Sequence, residues 1–215
     1  MSHLATLRVE EITKRFSGAP LFSPVTFEVS STEILAITGS NGTGKSTLLK
    51  ILANVLSATK GKVSYHNDSQ VLGEEAYQSH IGFAAPYLEL YSELTAIEHL
   101  QFVGELKGKQ IAAQECIDLL VGLGLDPKVA ASDRHVKFYS SGMQQRVKLG
   151  MAFALNPDFI FLDEPGSNLD AEGIAILFAQ INKSAAAGAV VIIATNDAAE
   201  VGLATREIRL EKYSR

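Results

Sequence analysis

The feature that most constrains this chain is a run of eight residues, Gly39-Ser40-Asn41-Gly42-Thr43-Gly44-Lys45-Ser46. It fits the pattern G-x-x-x-x-G-K-[ST], and its flanks fit too. Ile34 to Thr38 is a short apolar run that reads as a buried parallel strand. Thr47 to Leu56 follows helical spacing, with Leu48, Ile51, Leu52 and Val55 on one face. Glycines let backbone N–H groups turn inward and approach phosphate oxygens. The helix that follows points its positive end at the same anion. Lys45 can then reach the β- and γ-phosphates, and the Ser46 hydroxyl can ligate Mg²⁺. Strand, loop and helix together predict a phosphate cradle over Gly39 to Thr47.

The rest of the chain must build a core around that cradle. At 215 residues, 47% of them apolar, one domain is expected. Leu7 to Val29 alternates apolar and polar residues around turn signals at Ser17 to Pro20, which predicts two or three antiparallel strands. Further buried strands are expected at Lys62–Tyr65, Ile81–Ala84, Asp158–Leu162 and Val190–Thr195. Helices are expected at Ala96–Val103, Ile111–Leu123 and Ser141–Leu155. That order predicts an α/β core carrying a helical insert. A net charge of −5 argues against a nucleic-acid partner. Cys116 is the single cysteine, which fits a reducing compartment. Met1 to Glu11 is too polar and acidic for a signal peptide. The longest small-apolar run, Ala185 to Ala194, falls far short of the ~20 residues that cross a bilayer. A soluble, cytoplasmic protein that meets a membrane only through a partner is expected.

Phe159 to Leu162 is an apolar run ending in Asp163-Glu164-Pro165. Parallel strands deliver functional groups at their carboxyl ends. An acid pair at a strand end is also a common solvated feature, and the cradle upstream is what gives this pair a role. Asp163 then holds Mg²⁺, directly or through water, and Glu164 polarises an attacking water as general base.

Taken together, these segments resemble the ATPase subunits of ABC transporters over nearly the whole chain. Asn41 to Thr47 looks like that family's form of the loop, and Tyr139-Ser140-Ser141-Gly142-Met143-Gln144-Gln145-Arg146 resembles its LSGGQ signature. Tyr139, Ser141 and Met143 depart from the usual Leu, Gly and Gln. Ser167-Asn168-Leu169-Asp170 resembles the D-loop, and Phe16 takes the place of the aromatic that stacks on adenine. The signature stretch also reads simply as a helix with a serine cap. The resemblance implies a P-loop core of the ABC type with an N-terminal antiparallel β subdomain and an inserted α-helical subdomain. It implies one domain over 1–215, with the core at about 1–85 and 156–215 and the helices at about 86–155. It also implies ATP and Mg²⁺ as cofactors and Ser140, Ser141 and Gly142 as contacts to the ATP of a second nucleotide-binding domain. That domain can be identical or different, and a permease on a separate chain completes the assembly. Size and the short insert are similar to small haem-exporter-type ATPases.

Two departures bear on chemistry. The family places a Gln after the strand at Ile81–Ala84, where Pro86 stands here, and a His after the last core strand, where Asn196 stands. All five histidines lie at or before His135. The resemblance thus implies a transport ATPase that is slow in isolation, with Lys45, Glu164 and Asn196 as its catalytic set. Tyr87, Leu88, Leu90 and Tyr91 then line the groove that receives the permease. A nucleotide-sensing module with little hydrolysis and a soluble ABC ATPase unconnected with transport are the other readings.

Overall fold

A computed structural model of the protein describes residues 4–68 and 70–213. Its first sheet is antiparallel and built from β1 (Ala5–Thr13), β2 (Val25–Ser30), β4 (Lys60–Asn67) and β5 (Gln70–Val71), in the order β2-β1-β4-β5. The second contains β3 (Ile34–Thr38), β6 (Ile81–Ala84), β7 (Phe159–Asp163), β8 (Val190–Ala194) and β9 (Arg206–Arg209), in the order β6-β7-β8-β3-β9. Its pairings are all parallel. The α-helices are α1 (Lys45–Leu52), α2 (Glu74–Tyr77), α3 (Ala96–Leu106), α4 (Ala113–Gly122), α5 (Pro127–Ala130), α6 (Ser141–Phe153), α7 (Ala171–Ala186) and α8 (Ala198–Leu203). The mixed α/β class expected from the sequence is what forms. Among the described residues no helix is long and apolar enough to cross a membrane.

Strands β3, β7 and β8 are buried at every position, as an unbroken apolar run requires when both faces of a parallel sheet are covered. Side chains alternate between the faces. Phe159 and Phe161 join Leu35, Ile37, Leu48 and Leu52 in a core beneath the antiparallel sheet. Ile160 and Leu162 join Leu149 and Phe153 of α6 and Leu177 and Ile181 of α7 on the other face. Each such side chain contributes about 1.5–3 kcal/mol on burial. Register does the positioning. Asp163 pairs with Ala194 and Ile37 pairs with the same Ala194, so the chain leaves β3, β7 and β8 at one edge. A third core joins Leu100 of α3, Cys116 and Leu120 of α4 and Val147 of α6. The capping box of Thr95 and Glu98 starts α3.

Some boundaries differ from expectation. Helix α1 stops at Leu52, because Asn54 takes a left-handed φ of 53° and the Val55 N–H turns back to the Lys50 carbonyl. Val55, expected on the buried face, lies beyond the helix and is 63% exposed. Strand β4 runs to both sides of the expected Lys62–Tyr65 because β1 pairs with it over most of its length.

Candidate nucleotide site

The loop after β3 is tightly wedged. Gly39 has φ of 140°, and a Cβ there would lie 2.4 Å from the Leu210 carbonyl oxygen. Gly44 has φ of 102°, and its Cβ would meet Leu21 at 2.7 Å. Both positions therefore need glycine. Gly44 precedes α1 without a capping side chain, and the first turn of α1 has no acid. Its N–H groups are left for an external anion. The buried Lys45 donates from Nζ to the Gly39 carbonyl at 2.9 Å, which holds the ammonium over the loop. Thr43 Oγ1 is buried and has no partner. Ser40, Asn41 and Gly42 form the exposed lip, and Ser46 and Thr47 open α1. This arrangement fits a nucleotide's phosphates.

Asp163 ends β7 almost wholly buried. Burial pushes its carboxyl above the usual range, while hydrogen bonds from the hydroxyls of Ser46 and Tyr87 pull it back. Its Oδ2 has no partner. A carboxylate oxygen left free beside a hydroxyl is a hard-oxygen pair, which fits Mg²⁺. Glu164 next door is exposed, with a left-handed φ of 44°. Its N–H donates to the Ala194 carbonyl at 2.9 Å. A non-glycine residue held this way costs about 1–3 kcal/mol, and its side chain is turned away from the sheet's apolar faces.

Asn196 is exposed at the same edge and donates from Nδ2 to Asn41 Oδ1 at 2.9 Å. The loop lip and the residue after β8 are thus joined by an amide pair that sequence reasoning did not anticipate. Glu200 was also missed. It is buried, its carboxyl accepts from the Gly166 N–H at 2.8 Å, and burial raises its carboxyl above the usual range. Its signal was faint: Asp197 caps α8, and Glu200 falls in the first turn.

The signature segment starts α6. Ser140 caps it by accepting from the Met143 N–H at 3.2 Å, and Ser140 and Ser141 are exposed. The helix end is therefore presented outward, with its base fixed on the loop after Glu164. Buried Gln145 donates to the Pro165 carbonyl at 2.8 Å, Arg146 pairs with Asp170 at 3.1 Å, and a Cβ on Gly142 would meet the Asn168 carbonyl oxygen at 2.8 Å. Asp170 in turn caps α7. Among the described residues no hydrogen bond joins Ser140–Gly142 to the Gly39–Thr47 loop.

Phe16 is 69% exposed and lines a cleft of about 410 Å³ with Pro20, Leu21, Gly42, Lys212 and Tyr213. A bridge between Phe22 and Lys212 seats that wall. Tyr213, which the sequence did not single out, thus offers a second ring beside the loop.

The family model described as ABC transporter matches residues 22–167. "Putative hemin import ATP-binding protein HrtA" of Staphylococcus aureus strain Newman is 33% identical over 95% of this chain and 96% of its own length. "Uncharacterized ABC transporter ATP-binding protein YxlF" of Bacillus subtilis strain 168 is 35% identical over 78% of this chain, which spans 55% of that longer protein. Among solved structures, an ATP-binding subunit of an ABC transporter superposes with a TM-score of 0.81 at 27% identity, covering 95% of this chain and 85% of that one. A dimeric ATP-binding cassette bound to ADP and Pi reaches 0.82 at 24% identity, a likeness of fold, over 95% and 94%. With the loop, the strand-end acids and the outward signature helix in place on that fold, the chain belongs to the ABC transporter ATP-binding family.

Proposed function

We propose that the chain binds ATP with Mg²⁺, hydrolyses it, and powers a membrane transporter whose permease is a separate chain. The observation that carries this reading is the meeting of Lys45, Ser46, Asp163 and Asn196 at the carboxyl edge of one parallel sheet, beside the exposed Glu164. Gly39 to Thr47 cradle the phosphates, Phe16 faces the base, and Ser46 and Asp163 hold the metal. Bound Mg²⁺ supplies charge neutralisation on the transferring phosphate. Glu164 takes a proton from the attacking water, and Lys45 and Asn196 face the charge that develops.

Residues 86–155 form the helical subdomain in this reading. The outward Ser140–Gly142 end closes on the ATP of a second copy or a related subunit, because the positive end of a helix, here capped by Ser140 at the Met143 N–H, is an anion site. The protein then works at the cytoplasmic face of a membrane, held there by its permease. The Staphylococcus relatives are named for hemin, so hemin is the cargo to test first in the assembled transporter. Asn196 in place of an imidazole favours slow turnover in isolation, since an amide can donate but cannot become cationic. The test is Glu164→Gln with ATP and Mg²⁺. Turnover should fall about 10²–10⁴-fold, and a dimer should accumulate by light scattering. A variant that stays monomeric with ATP at any concentration, alone and with candidate partner subunits, overturns the closure.

A further inference from the structure

Glu200 takes no part in the chemistry set out above, yet it is buried against the turn that carries Glu164. That turn closes with the Ser167 N–H donating to the Glu164 carbonyl at 3.1 Å. Pro165 and Gly166 form its middle, and proline's fixed φ suits the first of those positions. Pro165 has no N–H to place, and the Gly166 N–H is not used by the turn itself. Glu200 Oε1 accepts it at 2.8 Å. So close an approach needs glycine, because a Cβ on Gly166 would lie 2.6 Å from the same oxygen. From the other side, Gln145 of α6 donates to the Pro165 carbonyl at 2.8 Å. The turn is therefore gripped from both α8 and α6.

The residue at the head of that turn is strained. Glu164 has a φ of 44° without being glycine, and such a backbone persists only where its surroundings fix it. The Ala194 carbonyl fixes its N–H, and the grip on Gly166 fixes the chain two residues on. Fold stability alone is a poor account of Glu200. Its Oε2 is buried and makes no hydrogen bond, and a half-satisfied buried carboxyl costs stability. Its place in the chain fits a different task. Asp197 accepts from the N–H groups of Ala199 and Glu200 at 2.8 and 3.1 Å, which stiffens the segment from Asn196 to Glu200. One end of that segment bonds Asn41 of the phosphate loop and the other bonds the Glu164 turn. We propose that Glu200 is the positioning residue of the general base: by holding Gly166 it keeps the Glu164 turn aligned with the phosphate loop. This inference rests on the role given to Glu164 under Proposed function.

The test measures single-turnover hydrolysis of radiolabelled ATP by excess protein, for wild type, Glu200→Ala, Glu200→Gln and Gly166→Ala. Each substitution is also made in Glu164→Gln. ADP affinity by calorimetry and thermal melting accompany every variant. Glu200→Ala should slow hydrolysis about 10²-fold, the effect of a small misplacement, with ADP affinity unchanged. Glu200→Gln should recover about 10-fold of that loss, because its amide oxygen can still accept from Gly166. Gly166→Ala crowds the same oxygen without altering Glu200, so it should slow hydrolysis in the same direction, and it carries the test if Glu200→Ala does not fold. In Glu164→Gln the base is already gone, and the same substitutions should change the residual rate by less than about 2-fold, since residues that act as a unit are not additive. An equal fold-loss in both backgrounds overturns the proposal, because Glu200 would then act on the fold at large. Wild-type hydrolysis in Glu200→Ala or Gly166→Ala overturns it as well, and leaves Glu164 standing as the base. If Glu164→Gln itself hydrolyses ATP at the wild-type rate, the role of Glu164 fails and this inference fails with it.

Discussion

The phosphate loop and the signature end of α6 are both helix N-termini, yet they are finished in opposite ways. The loop is wedged by the Leu210 carbonyl and the Leu21 side chain, and its lysine is already seated on Gly39. It is complete within one chain. The signature end has its first donors turned outward and its base tied to Pro165 and Asp170. One region is closed around its own loop, while the other faces outward with its cap exposed. Binding and turnover should therefore separate under mutation.

The largest effect is expected at the loop. Lys45→Ala removes the ammonium seated on Gly39, and steady-state turnover should drop by about 10³, a loss typical of a key transition-state donor. The melting temperature should hold within a few degrees, because the bond lost is the one from Nζ to the Gly39 carbonyl. Turnover at the wild-type rate would end the assignment. Next comes the signature end. Gly142→Ala pushes a methyl against the Asn168 carbonyl, and turnover should fall about 10²-fold, as small misplacements do. ADP affinity should not move. If it falls in step with turnover, the two regions are not separable and the comparison fails.

A smaller effect is expected where the loop meets the residue after β8. Asn196→Ala breaks one neutral hydrogen bond to Asn41, worth about 0.5–1.5 kcal/mol, so turnover should change by roughly 2- to 10-fold. Asn196→His should raise kcat with little change in nucleotide affinity. Equal turnover in all three proteins would make Asn196 a bystander. The smallest effect concerns stability. His99 is fully buried, faces the Thr95 carbonyl through Nδ1 and accepts the Tyr91 N–H at Nε2. Burial lowers its pKa below the ordinary 6.5. The neutral ring is thus the folded form, so its contribution is complete above pH 6.5 and is lost as the pH falls below it. Melting curves should show that acid-side slope, and His99→Gln should flatten it.

Much of the site was legible because it obeys local rules. The glycine loop sits between a wholly buried strand and a helix, and the paired acids end another buried strand. Those signals need only neighbours in sequence. What escaped were the contacts made across the sheet edge. Nothing near Asn41 announces Asn196, 155 residues away. Nor does anything near Tyr87 announce the Lys50 ammonium that sits over its ring. Pro86 was read for what it lacks, a side-chain oxygen and an N–H, and not for the turn it opens, in which the Leu88 N–H returns to the Ala85 carbonyl. Strand β9 escaped for a different reason. Three of its four residues are charged and exposed, so it carries no apolar pattern to find.

That same strand has a consequence for how two copies can meet. As an edge strand of the parallel sheet, β9 lies where a second chain could add itself strand to strand. Arg206, Glu207 and Arg209 sit along it. A neighbour approaching to share its backbone would have to strip water from those charges or confront their like copies, and charged edges deter such pairing. The chain thus discourages the commonest accidental union between sheet proteins, and any pairing of two copies has to be made through some other face.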